Sequence, residues 1–500
     1  MKVYLETMGC QMNRLDSELV AASLRAAGHE MVRDRRSADV VLYNTCSVRR
    51  HAEAKAHSRL GADSQRKAHH RPRLIIGVLG CMAQREGGAL AAKFAGLDIV
   101  CAPGQLARLP ELIAAAAAGQ RCVALDPDAM ETRRGRKNRR GTEAKRVEET
   151  EAATEGDKGE PVATGAEHED FDSLDMARET LPGGAPRAQA YVRVARGCDN
   201  FCTYCIVPFV RGPERSRRPE RIAEEVRRLV DAGVSEVTLL GQTVNRYRFA
   251  AGGRTTSFAD LLAQLSDTPG LRRLRFVTSH PLDFTDDILH VTAERENLCE
   301  YIHLPPQSGS DTILKRMSRG YTRTQYDELI DRARETVPGV VLAGDFIVGF
   351  PGETEDDHQA SAELIRRSGF KNSFVFKYSP RPGTAAARNL PDDVPDDVKR
   401  RRNNELLAVQ QEVGLAHHQA YVGSAVEVLV EGPSRRAGKQ GLDPAGDVTQ
   451  LVGRSRGDHI VHFDGSTDLA GQYVRVLVEE ATSLVLRGRL ISAESAEDAE

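Results

Sequence analysis

Tryptophan is absent from this 500-residue chain, and aromatic residues make up only 5% of it. With so few rings, nucleic-acid contact is expected to run through cations and phosphates rather than base stacking. No apolar run reaches the roughly 18 residues that a membrane helix needs, so no span is expected. The strand-like start Met1-Lys-Val-Tyr-Leu-Glu argues against a cleaved secretory leader, so disulfides are not expected. The nine cysteines therefore read as metal or redox residues of a protein in a reducing, cytoplasmic compartment.

Three of those cysteines, Cys198, Cys202 and Cys205, stand together as C-x3-C-x2-C in Arg196-Gly-Cys-Asp-Asn-Phe-Cys-Thr-Tyr-Cys-Ile-Val-Pro. No second C-x2-4-C pair follows, so a four-ligand structural zinc site is not completed. Iron–sulfur clusters are held by thiolates, and a [4Fe–4S] cluster takes four. A loop that supplies three leaves one iron open to a substrate or cofactor.

Charge is unevenly spread. The net charge is −3, but residues 143–180 hold 13 acidic against 4 basic side chains. Without that stretch the chain is mildly basic, which suits an RNA partner. A basic block, Arg133-Arg-Gly-Arg-Lys-Asn-Arg-Arg, precedes it. Residues 123–187 as a whole read as a disordered linker or insertion with few apolar side chains.

The rest divides into three regions. Residues 1–122 alternate strand patterns (2–7, 40–44, 74–79, 98–101) with helix patterns (16–27), as an open parallel sheet does. Cys10, Cys46 and Cys81 each follow one of these strands, at the edge where open α/β sheets bind ligands. Either they converge on a second cluster or they are small buried hydrophobes. Cys101 also ends a strand, and position alone does not exclude it. Residues 188–417 offer six strands (190–196, 236–240, 274–278, 301–304, 340–348, 373–378) with helices between, including 221–232 and 324–335. Six such units make a partial (β/α)6 barrel, with the Cys198 loop at the mouth. Residues 418–492 read as a small all-β barrel, of a kind that often binds oligonucleotides.

Three sets of residues carry a resemblance. The Cys198 loop, with Tyr204 before its third cysteine, resembles the radical SAM signature. Met8-Gly-Cys-Gln-Met-Asn, Asn44-Thr-Cys and Cys81 resemble the N-terminal domain of radical SAM methylthiotransferases. Gly453-Arg and Ile460-Val-His-Phe resemble a TRAM RNA-binding module. The Gly-Cys-Gln-Met-Asn form is similar to the MiaB-type branch, the tRNA-2-methylthio-N6-dimethylallyladenosine synthases. Two positions depart from the family pattern, Thr243 and Pro306. The resemblance implies an α/β enzyme of three domains with two [4Fe–4S] clusters, one on Cys198, Cys202 and Cys205 and an auxiliary one on Cys10, Cys46 and Cys81. It implies S-adenosylmethionine (SAM) against Tyr204, Gln242, Asn245, Gln307, Gly309 and Gly349. Cys101, Cys122 and Cys299 are left to packing. RNA phosphates are assigned to Arg211, Arg215, Arg217, Arg218 and Arg454, with a salt-bridged helix entrance as the alternative for the first four. The expected partners are a tRNA anticodon stem-loop, an electron donor such as flavodoxin or ferredoxin, and a sulfur donor, acting on a monomer. The rival functions are a methylthiotransferase for threonylcarbamoyl-adenosine or a ribosomal protein, and a non-catalytic cluster protein that binds RNA or senses redox state.

Overall fold

A computed structural model describes residues 1–47, 50–127, 129, 174–176, 188–434 and 448–491. The basic block and most of the expected linker lie outside the described residues.

The N-terminal unit is a six-stranded, all-parallel sheet of β1 (Lys2–Met8), β2 (Glu30–Met31), β3 (Val40–Thr45), β4 (Ile75–Gly80), β5 (Ile99–Cys101) and β6 (Cys122–Ala124), in the order β2-β1-β3-β4-β5-β6. Every residue of β3 and β4 is buried, as in a sheet covered on both faces. One face takes Leu15, Leu19, Val20 and Leu24 of α1 (Gln11–Ala26). The other takes Ala56 and Leu60 of α2 (Arg50–His69) and Met82 and Ala83 of α3 (Cys81–Glu86). Helix α1 starts five residues before the apolar repeat suggested. Met12 and Leu15 extend its buried stripe, and the Cys10 N–H donates to Asn13 Oδ1 at 3.3 Å, serving an amide at the helix start. The short strands β2 and β6 carried too few residues to show a period in the sequence.

The central unit begins at β7 (Gln189–Arg193). It pairs in parallel with Glu236–Leu240, which pairs with Arg273–Phe276. A second parallel group runs Tyr301–His303, Val341–Val348, Asn372–Lys377. A bridge between Leu274 and Leu298 links the groups into a six-stranded partial barrel. Helices cover its outside. Pro219–Asp231 buries Ile222, Val226 and Leu229, an i, i+4, i+7 stripe behind an N-terminal proline. Arg323–Thr336 opens on a capping box, in which Thr322 Oγ1 accepts from the Gln325 N–H at 3.2 Å and Gln325 Oε1 accepts from the Thr322 N–H at 2.9 Å. A 24-residue helix, Asp396–Gln419, packs on the last strand and leads to the C-terminal unit.

That unit is a closed five-stranded barrel of Ala425–Pro433, Thr449–Ser455, Ile460–Gly465, Val485–Leu490 and Tyr473–Ala481, in that order. Alternate residues Val428, Val430, Val461, Phe463, Val476 and Val478 fill it. Backbone-directed guanidinium bonds fasten it to the central barrel. Arg273 donates to Arg454 O at 2.9 Å, Arg275 to Ser455 O at 2.7 Å and to Arg456 O at 2.6 Å, and Arg456 back to Leu298 O at 2.8 Å.

Candidate functional site

Strands β1, β3 and β4 are neighbours, and their ends align, Met8 opposite Thr45 and Thr45 opposite Gly80. The residues that follow are Cys10, Cys46 and Cys81, so register alone brings them to one edge. Polar side chains then fix the turns. Asn13 Nδ2 donates to Asn44 Oδ1 at 2.9 Å and to Thr45 O at 3.1 Å. Asn44 Nδ2 returns a bond to Asn13 O at 2.9 Å and another to Ser17 Oγ at 3.0 Å. Thr45 Oγ1 ties the turn to Leu79 O at 2.7 Å. Gly80 has φ +90, and a Cβ there would sit 2.5 Å from Thr45 O. Only glycine lets the chain turn here and pass so close to the Cys46 turn. A hydrogen bond with Cys46, with help from the Arg211 cation, lowers the Cys10 thiol to about 5. Burial pushes the Cys81 thiol up, while Arg211 opposes the rise.

The other cysteines on strands differ. Cys101 lies within β5 in the apolar core, and burial drives its thiol up to about 12. Cys122 turns toward Leu112 O, and Cys299 is buried beside Arg275 with its thiol raised to about 11.

The Cys198 loop leaves the central barrel just after β7. Its start is Gly197, φ +81, whose missing side chain allows contact with the Pro213 carbonyl. The Gly197 N–H donates to Gln242 Oε1 at 2.5 Å, and the Cys198 N–H donates to Gly212 O at 3.2 Å. Thr203 pins the middle of the loop, its N–H to Met317 O and its hydroxyl to Arg316 O, both at 2.9 Å. Cys198 Sγ lies 3.6 Å from the Thr243 hydroxyl, at one of the two positions that depart from the family pattern. Arg319 Nη1 donates to Cys202 Sγ at 3.5 Å, while its Nη2 holds Pro305 O at 3.0 Å. Burial raises the Cys198 and Cys205 thiols, and the three sulfurs lie close enough to repel one another as thiolates. Tyr204 packs edge-on to Phe350.

The two triads are neighbours. Cys81 shares an apolar cluster with Ile206, Phe209 and Val210, which directly follow Cys205. The short helix Val207–Arg211 runs between them. Each set of three soft sulfur donors has a buried guanidinium beside it, Arg319 at one and Arg211 at the other. Thiolates with nearby cations suit an iron–sulfur centre, whose bound sulfurs carry negative charge.

The residues expected at SAM shape the loops around this mouth. Asn245 clasps His280, donating to its carbonyl at 2.9 Å and accepting its N–H at 2.8 Å. Gln307 takes φ +71 and exchanges backbone bonds with Asp345 and Ile347. Gly309 donates to Ser361 Oγ at 2.9 Å and touches the Ala360 backbone. Gly349 donates to the buried Glu353 carboxylate at 2.7 Å.

The arginines divide differently from the sequence expectation. Arg211 and Arg217 do not face solvent. Arg211 Nη2 pairs with Asp16 at 2.9 Å, and Arg217 with Glu225 at 2.7 Å. Buried cations need such partners, and a phosphate on the surface cannot reach them. Arg454 is held by Glu431 at 3.0 Å and Asp458 at 2.8 Å where the C-terminal barrel meets the core. Arg215 is half-buried opposite Arg196, and Arg218 is exposed.

One feature had no signal in the composition. Phe374 and Phe376, two apart on Asn372–Lys377, are 54% and 42% exposed and stack at 6.3 Å. Phe374 lines a cavity of about 1330 Å3 that also meets Gln11, Arg14, Tyr191, Arg275 and Arg454.

Residues 2–102 match Uncharacterized protein family UPF0004, residues 192–365 the Radical SAM superfamily, and residues 419–491 the TRAM domain. A tRNA-2-methylthio-N(6)-dimethylallyladenosine synthase of Rhodopirellula baltica is 44% identical over 98% of this chain and 96% of its own length. The chain belongs to the tRNA-2-methylthio-N(6)-dimethylallyladenosine synthase family. The Moorella thermoacetica member is 40% identical over 97% of each chain. Membership of the Radical SAM superfamily implies SAM and a [4Fe–4S] cluster. In fold, the chain is similar to the radical S-adenosylmethionine methyltransferase TsrM from Kitasatospora setae, with TM-score 0.50 and 16% identity over 77% of this chain and 74% of that one. Among the described residues, no helix is long and apolar enough to cross a membrane.

Proposed function

We propose that this chain installs a methylthio group at carbon 2 of N6-dimethylallyladenosine at position 37 of tRNA. The observation that carries the reading is the meeting of two cysteine triads, from separate domains, across the helix Val207–Arg211. The family likeness over nearly the whole chain supports it.

In this reading Cys198, Cys202 and Cys205 hold the cluster that binds SAM, and Cys10, Cys46 and Cys81 hold an auxiliary cluster. When bound, these groups supply the radical that activates the C–H bond and the sulfur that replaces the hydrogen. The protein's own part is placement. The Asn13–Asn44 clasp orients Cys10 toward Cys46, and Arg319 neutralises charge at Cys202. Tyr204, Gln242, Asn245, Gln307, Gly309 and Gly349 form the wall against SAM. The Phe374–Phe376 pair offers a face for the everted base, since carbon 2 of adenine is not reachable within stacked RNA. Arg215 and Arg218 remain on the RNA side. The enzyme acts as a cytoplasmic monomer, fed by a flavodoxin- or ferredoxin-like reductant and a sulfur donor.

The test is anaerobic reconstitution with iron and sulfide counts, then incubation with dimethylallyl-modified tRNA and mass spectrometry of its nucleosides. A methylthio mass gain on that nucleoside is expected. Release of 5′-deoxyadenosine with modification only of threonylcarbamoyl-adenosine would overturn the substrate, and no SAM cleavage at all would overturn the enzyme.

A further inference from the structure

Arg211 ends the helix Val207–Arg211, which starts two residues after Cys205. Its side chain is 3% exposed. One arm of the guanidinium is tied, Nη2 donating to Asp16 Oδ2 at 2.9 Å. The other arm, Nη1, is buried and meets no nitrogen or oxygen acceptor among the described residues, while the guanidinium reaches the Cys81 thiol. Its charged surroundings are Asp16 and the Cys81 and Cys10 thiols. Asp16 is held from its other oxygen by Arg193 Nη1 at 3.1 Å, and Arg193 in turn by Asp175 at 2.7 Å. Arg211 is therefore fixed by Asp16 on one side and turned to the thiols on the other. A buried cation needs acceptors of opposite charge, and here they are Asp16 and the thiol sulfurs.

We propose that Arg211 is a positioning residue for the auxiliary iron–sulfur centre, its Nη1 N–H donating to a sulfur of that centre and its charge offsetting the centre's negative charge. This rests on the reading that Cys10, Cys46 and Cys81 hold such a centre. Hydrogen bonds to cluster sulfurs and nearby cations favour the reduced, more negative state. Because the helix of Arg211 also follows the Cys205 loop directly, the auxiliary centre is held by a residue of the domain that binds the other one. Lysine at this position keeps the charge but loses the forked geometry that spans Asp16 and the thiols.

The test uses the full chain, reconstituted anaerobically, with redox titration followed by electron paramagnetic resonance. The variants are Arg211→Gln, Arg211→Lys and Asp16→Asn. Arg211→Gln is expected to lower the midpoint of one centre and leave the Cys198-loop centre where it was. Asp16→Asn leaves the cation without its counter-charge, so it is expected to shift the same centre the opposite way. A residue that only braces α1 against the core would give the two variants the same sign, or no shift. Either result overturns the proposal. If Arg211→Gln fails to fold, Arg211→Lys decides: a changed line shape confined to the auxiliary centre supports the proposal, and spectra and midpoints identical to the unaltered chain overturn it. A wild-type chain that holds one centre instead of two defeats the underlying reading itself, and the proposal with it.

Discussion

Asn13 and Asn44 hold each other across 31 positions of sequence, each amide nitrogen donating to an oxygen of the other residue at 2.9 Å. Both residues are fully buried. The pair sets the spacing of the Cys10 and Cys46 turns, because Asn13 also receives the Cys10 N–H and reaches Thr45 O. Replacing Asn44 by Ala removes three hydrogen bonds and leaves buried Asn13 atoms without partners. A loss of about 2–4 kcal/mol is expected, from the cost of unsatisfied buried polar groups. Denaturant unfolding measures it. Iron content should fall by the share held at Cys10, Cys46 and Cys81, and an iron count equal to wild type would refute the role given to this clasp.

The two triads are separable. Cys202→Ala should abolish release of 5′-deoxyadenosine and lower the iron content by about one cluster. Cys46→Ala should retain SAM cleavage yet give no methylthiolated nucleoside. Full thiolated product from Cys46→Ala would remove the auxiliary site from the scheme.

Stacking of a base on an aromatic ring contributes about 1–3 kcal/mol. Phe374→Ala is therefore expected to weaken binding of dimethylallyl-modified tRNA by roughly 5- to 150-fold. Iron content and SAM cleavage without tRNA report separately on the fold. Phe374→Tyr should restore most of the affinity. Unchanged tRNA affinity in Phe374→Ala would remove the aromatic pair from the RNA surface.

A histidine cluster where the long C-terminal helix meets the barrel makes stability depend on pH. His417 Nε2 lies 2.9 Å from His459 Nε2, and His459 Nδ1 lies 2.8 Å from the Ser455 hydroxyl. His418, Tyr421, Lys371 and Asp458 surround them. Burial, with His418 and Lys371 nearby, lowers His417 to about 4 from 6.5, and burial lowers His459 to about 2. The fold thus favours the neutral rings. Between those values the unfolded chain binds more protons, so stability rises with pH. The stabilisation is complete above 6.5 and is lost progressively as pH falls toward 4. The slope should be at most about 1.4 kcal/mol per pH unit for each ring. Denaturant midpoints at pH of about 7.5 and 5.5 measure it. His459→Asn should flatten the dependence, and an unaltered slope would exclude this cluster as its source.

The architecture was legible because strand ends announce themselves. Cys10, Cys46 and Cys81 follow runs such as Val40–Thr45 and Ile75–Gly80 that are buried throughout, and the shared register of parallel strands converts sequence position into a common edge. Position did not separate Cys101 from them. Its strand simply ends one residue later relative to the sulfur, which leaves the thiol inside the core. The arginines were harder. Nothing near Arg211 in sequence reveals that its counter-ion is Asp16, 195 positions away. Arg454 pairs with Asp458 four positions on, but also with Glu431 on a neighbouring strand, which the sequence does not show. A cation's partner is decided by tertiary packing, so a cluster of arginines reads as a surface patch until the fold is known. The aromatic pair was hidden for the opposite reason, since two phenylalanines on a strand look like core residues.

The guanidinium bonds from Arg273, Arg275 and Arg456 land on main-chain oxygens, and Glu427 and Glu300 pair with Arg273 and Arg456 across the same junction. The C-terminal module is thereby set at one distance from the cysteine triads, like the far jaw of a fixed caliper. A nucleic acid held at that module has to bridge the span with its own geometry, so its length and bend bear on whether a nucleotide reaches the reactive mouth.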